Sequence, residues 1–252
     1  MVRISVQDLK KVFTHKVTGQ NIVAIDKLNF EIDEGEVVSI VGKTGCGKST
    51  FLSILLGIVK PTSGKILVDG KEPYKDFYHF RGKIAAIFQQ DILLPWRTAL
   101  ENVKIGLEIL RYPKEKQLEL ARHWLAKVGL ERFINSYPGE LSGGMRQRVA
   151  IARAFVVDPE VLLADEAFGH LDVVTATVLR NDFIRLVKEQ RKTAIMVTHQ
   201  LDDALDTGGR ILVFGRPARL IADVKIPDDV KDNPVKKNDL KEQLYRLIEE
   251  SG

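Results

Sequence analysis

Apolar residues alternate with polar ones along the first part of the chain, and this period of two predicts β-strands. Residues 2–14 and 20–33 both show the alternation and are joined by a polar turn at 18–21. The compact apolar run at 36–41 predicts a buried strand, which ends at a glycine-rich loop. Two further short strands are predicted, at 65–69 and 84–88.

The period changes to that of a helix in the middle of the chain. Between about 100 and 154 the pattern is helical without a strong strand signal. Pro113 suits the first turn of a helix. Leu118, Ala121, Leu125 and Val128 would share one face of that helix. Alternation of strands and helices then resumes, with strands at 161–165, 193–198 and 210–214 and helices at about 173–190 and 200–206.

This order predicts an α/β fold with a mixed sheet, an N-terminal antiparallel β-subdomain and an inserted α-helical subdomain. Residues 1–95 and 156–226 would form the core with the β-subdomain, about 96–155 the helical subdomain, and 227–252 a C-terminal tail and helix. In that helix Asp239 and Glu242 are spaced as a capping box. Its predicted apolar stripe consists of Leu240, Leu244, Leu247 and Ile248.

Composition excludes several classes of protein. The net charge of +4 arises from 38 basic and 34 acidic residues, too small an excess to predict nucleic-acid binding. No apolar run approaches the roughly 18 residues that cross a bilayer, and the N-terminus lacks the apolar segment of a signal peptide. The single cysteine, Cys46, cannot form an intramolecular disulfide and fits a reducing cytosol. We therefore expect a cytosolic protein that reaches a membrane only through a partner.

The loop after the 36–41 strand reads Gly42-Lys43-Thr44-Gly45-Cys46-Gly47-Lys48-Ser49, the phosphate-binding pattern in its required setting between strand and helix. Its amide groups and the helix N-terminus would face the phosphates. Lys48 would reach the β- and γ-phosphates, Ser49 would coordinate Mg²⁺, and Thr50 would contact the α-phosphate. The residues expected around the nucleotide are Gly42, Thr44, Gly45, Cys46, Gly47, Lys48, Ser49 and Thr50. The Cys46 thiol is either redox-sensitive or simply small enough for a tight turn.

Two carboxylates follow the next apolar strand, Val161-Leu162-Leu163-Ala164. Asp165 and Glu166 would then lie at the carboxyl end of a buried strand, where open α/β sheets bind their ligands. Asp165 is expected at the Mg²⁺ site, in the outer layer of ligands, and Glu166 is placed to polarise the attacking water. The alternative is a solvated carboxylate pair, which the phosphate loop in the same chain disfavours.

Polar residues end two other predicted strands. His199 follows Glu166 by 33 residues, the length of one strand–helix–strand unit, so both side chains should emerge at the same sheet edge. Gln89 follows the 84–88 strand, where its amide could hold Mg²⁺ or the attacking water. A glutamine at a strand end also serves purely structural roles.

The segment Leu141-Ser142-Gly143-Gly144-Met145-Arg146-Gln147 places a serine and two glycines at the start of a helix, a second anion-binding terminus. Here the chain resembles the ATP-binding-cassette ATPases, and the match covers nearly its whole length. The resemblance implies that Phe13 stacks on adenine, that Gln89 forms the Q-loop, that Asp165 and Glu166 form the Walker B end and that His199 contacts the γ-phosphate. It also implies a D-loop at Leu171-Asp172.

In that family Ser142, Gly143 and Gly144 would bind the ATP held by another subunit. Because this chain has one copy of each motif, a complete site would need two chains. ATP would join the two copies, and hydrolysis would release them. The cofactors expected are ATP and Mg²⁺.

Residues 93–103, Leu-Leu-Pro-Trp-Arg-Thr-Ala-Leu-Glu-Asn-Val, resemble the importer ATPases of the nitrate, sulfonate and taurine group, which includes thiamine-precursor uptake systems. This implies that transmembrane permease subunits dock on residues 89–97. A separate periplasmic or extracellular binding protein would select the solute. The subunit would lie on the cytoplasmic face of the membrane as a peripheral homodimer. Trp96 is either part of that interface or a core residue.

Three residues depart from the family pattern: Ala167 replaces a proline, His170 replaces a small D-loop residue, and Gln200 replaces an acidic residue. None removes a group that the chemistry needs. Two other functions share this core. A DNA-repair ATPase would have a long coiled coil before the 141–147 segment, which is absent from this sequence. An exporter or lipoprotein-release ATPase is disfavoured by the Leu-Pro-Trp segment.

Overall fold

A computed structural model describes residues 1–15, 17–207, 209–231 and 233–250. The chain divides into two compact units. The terminal unit comprises Met1–Phe80 and Thr193–Gly252, and the central unit comprises Arg81–Lys192. Each is described separately.

Strands dominate the first part of the chain, helices follow in the middle, and strands and helices then alternate, as the sequence pattern predicts. The first part of the terminal unit contains β1 (Val2–Thr14), β2 (Asn21–Asp33), β3 (Val37–Val41), α1 (Lys48–Leu55) and β4 (Ser63–Val68). The central unit contains β5 (Ile84–Phe88), α2 (Ala99–Ile109), α3 (Lys114–Lys127), α4 (Gly143–Phe155), β6 (Val161–Asp165) and α5 (Val173–Glu189). The terminal unit resumes with β7 (Thr193–Val197), α6 (Leu201–Thr207), β8 (Arg210–Phe214), β9 (Leu220–Lys225), α7 (Asp228–Lys231) and α8 (Pro234–Glu250).

The terminal unit holds an antiparallel sheet with the order β2-β1-β4. The alternation along β1 buries Ile4 and Val6, and a register shift between Val6 and Leu9 allows Leu9 to be buried as well. The predicted antiparallel β-subdomain is therefore present.

A second set of strands in this unit runs in the order β7-β3-β8-β9. β3 pairs with β7 and β8 in parallel, while β9 pairs with β8 in antiparallel, so the sheet is mixed. Every residue of β3 and β7 is buried, which explains why these strands are almost entirely apolar. The α/β fold with a mixed sheet is thus confirmed. Strand β9 was not predicted.

Helix α8 packs on the terminal unit through its predicted apolar stripe. Leu244 is fully buried in a cluster with residues of β3, α6 and β8, and Leu240, Leu247 and Ile248 pack against the same cluster. The predicted capping box is wrong, because α8 begins at Pro234 and Asp239 lies inside it. The Asn233 side chain caps the helix instead, since its Oδ1 accepts the N–H groups of Val235 and Lys236.

In the central unit β5 and β6 form a parallel pair, and helices α2, α3 and α4 pack on one another. All three helices fall within 96–155, and the exact limits of a helical subdomain stay a prediction. The predicted inner face of α3 is partly wrong. Leu118 is exposed, whereas Trp124 is buried against the ring of Phe155 at a centroid distance of 5.0 Å.

Among the residues that the structure describes, no helix combines the length and the apolar character needed to span a membrane.

Candidate nucleotide site

The loop between β3 and α1 has a backbone that only glycine tolerates at two positions. Gly42 and Gly47 have φ angles of 156° and 117°. A Cβ on Gly42 would lie 2.4 Å from the Phe214 carbonyl oxygen, and one on Gly47 would lie 2.4 Å from that of Ala24. Gly47 is the N-cap of α1 and, having no side chain, cannot cap the first N–H groups of the helix. A helix end of this kind is suited to an anion, and the phosphate contacts of this loop stay a prediction.

The loop holds the Lys48 ammonium group in place. Lys48 is 5% exposed, and its Nζ donates to the carbonyl oxygens of Gly42 at 2.7 Å and Lys43 at 3.1 Å, with a weaker contact to Cys46 Sγ at 3.9 Å. An ammonium held by backbone carbonyls at a helix N-terminus is an electrostatic match for phosphate. The buried Cys46 favours the interpretation of a small residue packed in a tight turn.

Three polar residues of the loop and the first turn of α1 carry hydroxyl groups. Thr44 and Ser49 are exposed and Thr50 is half-buried. Ser49 is the second residue of α1, so its hydroxyl lies at the same helix end as Lys48.

Phe13 lies near the end of β1 and is 41% exposed. The Nζ of Lys11 is 4.7 Å from the centroid of its ring. A planar apolar face open to solvent is suited to stacking on a base, and the adenine role stays a proposal.

His199 follows β7 on the edge where β3 ends. The N–H of Thr198 donates to the Ile40 carbonyl at 3.1 Å, which extends the β7–β3 pairing by one residue. His199 is exposed, and the turn after it is closed by Gln200 N–H donating to Thr198 Oγ1 at 3.0 Å. The terminal unit thus places the phosphate loop and His199 at the ends of neighbouring parallel strands.

Gln89, Asp165 and Glu166 lie together in the central unit. Phe88 of β5 is in register with Asp165 of β6, so Gln89 and Glu166 follow adjacent positions at one strand edge. Glu166 has φ +48°, a left-handed conformation that costs a non-glycine residue on the order of 1 kcal/mol. The carbonyl of Glu166 accepts the N–H of Gly169 at 3.1 Å.

The glutamine that ends the 141–147 segment, for which the sequence predicts no role of its own, supports the backbone beside Glu166. Gln147 of α4 is fully buried, and its Nε2 donates to the carbonyl of Ala167 at 2.7 Å. Ala167 directly follows Glu166, so the helix that begins at the 141–147 segment fixes the backbone beside the candidate catalytic carboxylate.

The start of α4 is an exposed helix N-terminus with a serine cap. Ser142 is the N-cap, and its Oγ accepts the N–H of Met145 at 3.3 Å. A Cβ on Gly144 would lie 2.8 Å from Thr175 Cγ2, so the glycine permits close packing on α5. Asp172 caps α5 by accepting the N–H of Thr175 at 3.0 Å, and this bond lowers the pKa of its carboxyl group.

The loop before α2 is clamped from within. Asn102 is fully buried; its Oδ1 accepts the N–H of Leu94 at 2.8 Å, and its Nδ2 donates to the carbonyls of Leu94, Arg97 and Thr98. Trp96, on this loop, is 70% exposed. Trp96 is therefore not a core residue, and the loop presents it to solvent.

Two arginines of α4 hold the residues that follow Gln89. Arg146 pairs with Asp91 at 2.9 Å, and Arg153 donates to the carbonyls of Asp91 and Ile92 at 2.7 Å each. Burial lowers the pKa of Arg153. A cavity of about 400 Å³ lies here, lined by residues 90–93, Arg146 and His170. His170 is exposed at the position where the sequence departs from the family pattern.

The side chains predicted to hold magnesium are of a type that fits this ion. The terminal unit carries the Ser49 hydroxyl, and the central unit carries the Gln89 amide and the Asp165 carboxylate; oxygen donors of this kind are the ligands that Mg²⁺ prefers. Within the described residues there is no cluster of three or more His, Cys, Asp or Glu side chains that could form an all-protein metal cage. Such a cage is not the usual arrangement for Mg²⁺, which normally keeps waters and phosphate oxygens as ligands.

Comparison with known proteins identifies the family. The model of the ABC transporter family matches residues 25–169. An uncharacterized ABC transporter ATP-binding protein of Methanocaldococcus jannaschii is 43% identical over 229 residues, which cover 89% of this chain and 82% of that protein. The aliphatic sulfonates import ATP-binding protein SsuB of Bacillus cereus is 34% identical over 99% of this chain and 97% of its own. The glycine betaine/proline betaine transport system ATP-binding protein ProV of Escherichia coli is 36% identical over 96% of this chain and 61% of its own.

A solved structure extends the comparison to the fold and the reaction. The ATP-binding cassette MJ0796, a dimer in a post-hydrolysis state bound to ADP and Pi, has a TM-score of 0.78 and 35% identity, covering 89% of this chain and 99% of its own. The predicted nucleotide-binding ATPase fold is confirmed by these similarities. The chain therefore belongs to the ATP-binding subunits of ABC transporters, and it is an ATPase.

Proposed function

We propose that this subunit drives an importer for a small solute of the nitrate, sulfonate, taurine or thiamine-precursor type. The similarity to SsuB along nearly the full length of both chains supports this group. The similarity to ProV supports a betaine-type solute as the alternative within importers. In either case the solute would be chosen by a binding protein and a permease, and this subunit would supply the energy.

ATP hydrolysis by this subunit would proceed by in-line attack of water on the γ-phosphate. We propose that Lys48 binds the β- and γ-phosphates, Glu166 polarises the water, and Gln89 and His199 orient the reacting groups. Phe13 would stack on the adenine. Bound Mg²⁺ would neutralise charge on the phosphates, with Ser49, Gln89 and Asp165 as the residues to hold it.

The active species would be a homodimer. Each chain carries one phosphate loop and one segment with Ser142, Gly143 and Gly144, and the latter would bind the ATP held by the other copy. The dimeric state of the similar cassette MJ0796 supports this arrangement.

The exposed Trp96, on a loop held by Asn102, is the observation that carries the proposal of a permease partner. A side chain this large, 70% exposed and held on a loop fixed by Asn102, is suited to a protein interface. We propose that permease subunits dock on residues 89–97, which would place the dimer on the cytoplasmic face of the membrane.

Replacement of Trp96 tests this docking site. With the neighbouring permease genes co-expressed, Trp96→Ala should reduce recovery of the complex at least tenfold, because a buried aromatic anchor contributes about 2 kcal/mol or more to an interface. Tyr245→Ala is the matched control, since Tyr245 is a 59% exposed aromatic on α8. Equal recovery of the two variants would contradict docking at Trp96.

The direction of transport needs a separate measurement. The measurement uses proteoliposomes that contain the permease and this subunit. Their ATPase activity should rise when the solute-loaded binding protein of the same gene cluster is supplied at the membrane face opposite the ATP-binding subunits. The exporter alternative would be right if the binding protein left the ATPase rate unchanged and the transporter moved a solute or lipoprotein outwards.

A further inference from the structure

The last turn of α8 contacts the phosphate loop. Lys43, the second residue of that loop, donates from Nζ to the backbone carbonyl oxygen of Glu249 at 3.0 Å. The same ammonium lies 3.7 Å from the Glu249 carboxylate. A lysine that binds a carbonyl at the end of a helix satisfies one of its unpaired acceptors and complements the negative end of the helix dipole.

Lys43 also holds the residue that would bind phosphate. Its backbone carbonyl accepts Lys48 Nζ at 3.1 Å and the N–H of Cys46 at 3.2 Å. The side chain of Lys43 is therefore bound to α8, while its main chain is bound to Lys48. Lys43 therefore connects the end of α8 to the buried ammonium group of Lys48.

Helix α8 is anchored independently of this contact, so it can serve as a fixed support. Its apolar stripe packs on a cluster that includes Val41, the last residue of β3 before the loop. On α6, which begins two residues after His199, Asp206 pairs with Lys237 and Asp202 pairs with Lys241 at 2.7 Å. The helix thus braces both segments of the terminal unit that carry candidate phosphate contacts.

We propose that Glu249 is a positioning residue for ATP binding: the last turn of α8, through Lys43, holds the phosphate loop in the geometry that presents Lys48. This rests on the proposed role of Lys48 and deepens it. Without the contact, the loop would have to be ordered by the nucleotide itself, and part of the binding free energy would be used for that ordering.

If Glu249 acted only through its charge, its replacement would change ATP affinity in the opposite direction from a loss of positioning. The carboxylate carries negative charge close to a site for phosphates, so its removal would strengthen nucleotide binding if charge alone mattered. Lysine at position 249 keeps the main-chain carbonyl, but it replaces the carboxylate that lies 3.7 Å from Lys43 Nζ with a second ammonium group, and the repulsion between the two ammonium groups would drive Lys43 away from the helix end. The same substitution would make the site more positive. Positioning and long-range charge therefore change ATP affinity in opposite directions in this variant.

The decisive experiment measures the KM and kcat for MgATP of Glu249→Lys. We expect the KM to rise about threefold to tenfold while kcat stays within about twofold, because Lys48 holds the phosphates in the ground state and in the transition state alike. Glu250→Lys is the matched control, since it makes the same charge change one residue further along α8, and its KM should stay within about twofold of the original. The thermal unfolding temperature of each variant shows that α8 remains docked.

A double-mutant cycle identifies the path of the effect. In a Lys43→Met background Glu249→Lys should cause no further rise in KM, because the contact is already lost. A lowered or unchanged KM in Glu249→Lys, an equal effect of Glu250→Lys, or an effect that persists in the Lys43→Met background would each overturn the proposal. Lys48→Ala is measured in parallel. If it leaves the KM unchanged, the proposed role of Lys48 is wrong; if it raises the KM while Glu249→Lys does not, only the positioning role fails.

Discussion

Two buried polar side chains bind main-chain carbonyls next to the candidate nucleotide-binding and catalytic residues. Lys48 binds two carbonyls of its own loop, and Gln147 binds the carbonyl of Ala167 beside Glu166. Gln147 is also incompletely satisfied, since its Oε1 is buried and has no hydrogen-bond partner among the described residues. A buried unpaired acceptor costs about 1–3 kcal/mol, so the stability of α4 alone does not favour glutamine here.

We therefore predict that Gln147→Leu separates catalysis from folding. Leucine fills a similar volume, removes the unpaired oxygen and loses the bond to Ala167, so the free energy of unfolding should change by no more than about 1 kcal/mol. The kcat for ATP should fall about tenfold or more, because the backbone of Glu166 is held in a left-handed conformation by its neighbours and would relax. The KM for ATP should stay within about twofold, as measured by steady-state hydrolysis.

Gln117→Leu is the matched control for this prediction. Gln117 is a buried glutamine of α3 whose Nε2 donates to the Tyr112 carbonyl at 2.8 Å, away from the candidate catalytic residues. If both variants lower kcat to the same extent, the effect comes from general loosening of the central unit and not from Glu166.

Among the elements, strands with a clear hydrophobic pattern were predictable, whether buried on both faces like β3 and β7 or on one face like β1 and β2, and the edge strand β9 was not. β3 and β7 are buried throughout, so apart from Ser39 and Thr193 they consist of apolar residues. β9 lies at the edge of its sheet, and none of its residues is fully buried, so its sequence Leu-Ile-Ala-Asp-Val-Lys carries little periodic signal. On α3 the bulky Trp124 packs against Phe155, and this contact turns the buried face away from Leu118.

The candidate site shows the same division. The glycine loop, Ser142 and the Asp165-Glu166 pair were predictable because each motif lies within a few consecutive residues. Asn102, Gln147 and the contact between Lys43 and Glu249 were not, because each depends on a carbonyl brought near by the fold. Sequence spacing does not encode which main-chain oxygen a buried amide or an ammonium group will meet.

For the N-terminus of α4 we predict that capping and anion binding can be separated at Ser142. Asparagine and aspartate cap helices about as well as serine. The free energies of unfolding of Ser142→Asn and Ser142→Asp should therefore both lie within about 0.5 kcal/mol of that of the original chain. If this helix end binds the ATP of the partner subunit, Ser142→Asp should abolish the ATP-dependent dimer, because its charge repels the γ-phosphate. Ser142→Asn should weaken the dimer by less than about tenfold.

The dimer is measured by light scattering after gel filtration with saturating MgATP, in a variant that does not hydrolyse ATP. Equal dimerisation of the asparagine and aspartate variants would show that no phosphate lies at this helix end. A large loss of stability in Ser142→Asn would instead show that the cap has a special geometry.

At the scale of the whole molecule, the chain presents two helix N-termini suited to phosphate, at α1 and α4, but only one lysine-bearing phosphate loop. In a homodimer each ATP would contact the N-terminus of α1 from one copy and the N-terminus of α4 from the other copy. The similar cassette MJ0796 is dimeric. Nucleotide would then act as part of the interface, and its hydrolysis would weaken that interface by removing the γ-phosphate.

Glu166→Gln tests this arrangement. The amide keeps the size of the side chain but cannot polarise water as a carboxylate does, so turnover should fall by about 10²–10⁴-fold while ATP binding is retained. Because hydrolysis no longer removes the γ-phosphate, the variant should accumulate as a stable dimer at saturating MgATP and return to monomer when nucleotide is withdrawn. Glu160→Gln, just before the opposite end of β6, is the control and should hydrolyse ATP at the original rate without trapping a dimer. A Glu166→Gln variant that binds ATP yet stays monomeric would contradict the proposed clamp, since the bound γ-phosphate would then have no second subunit to hold.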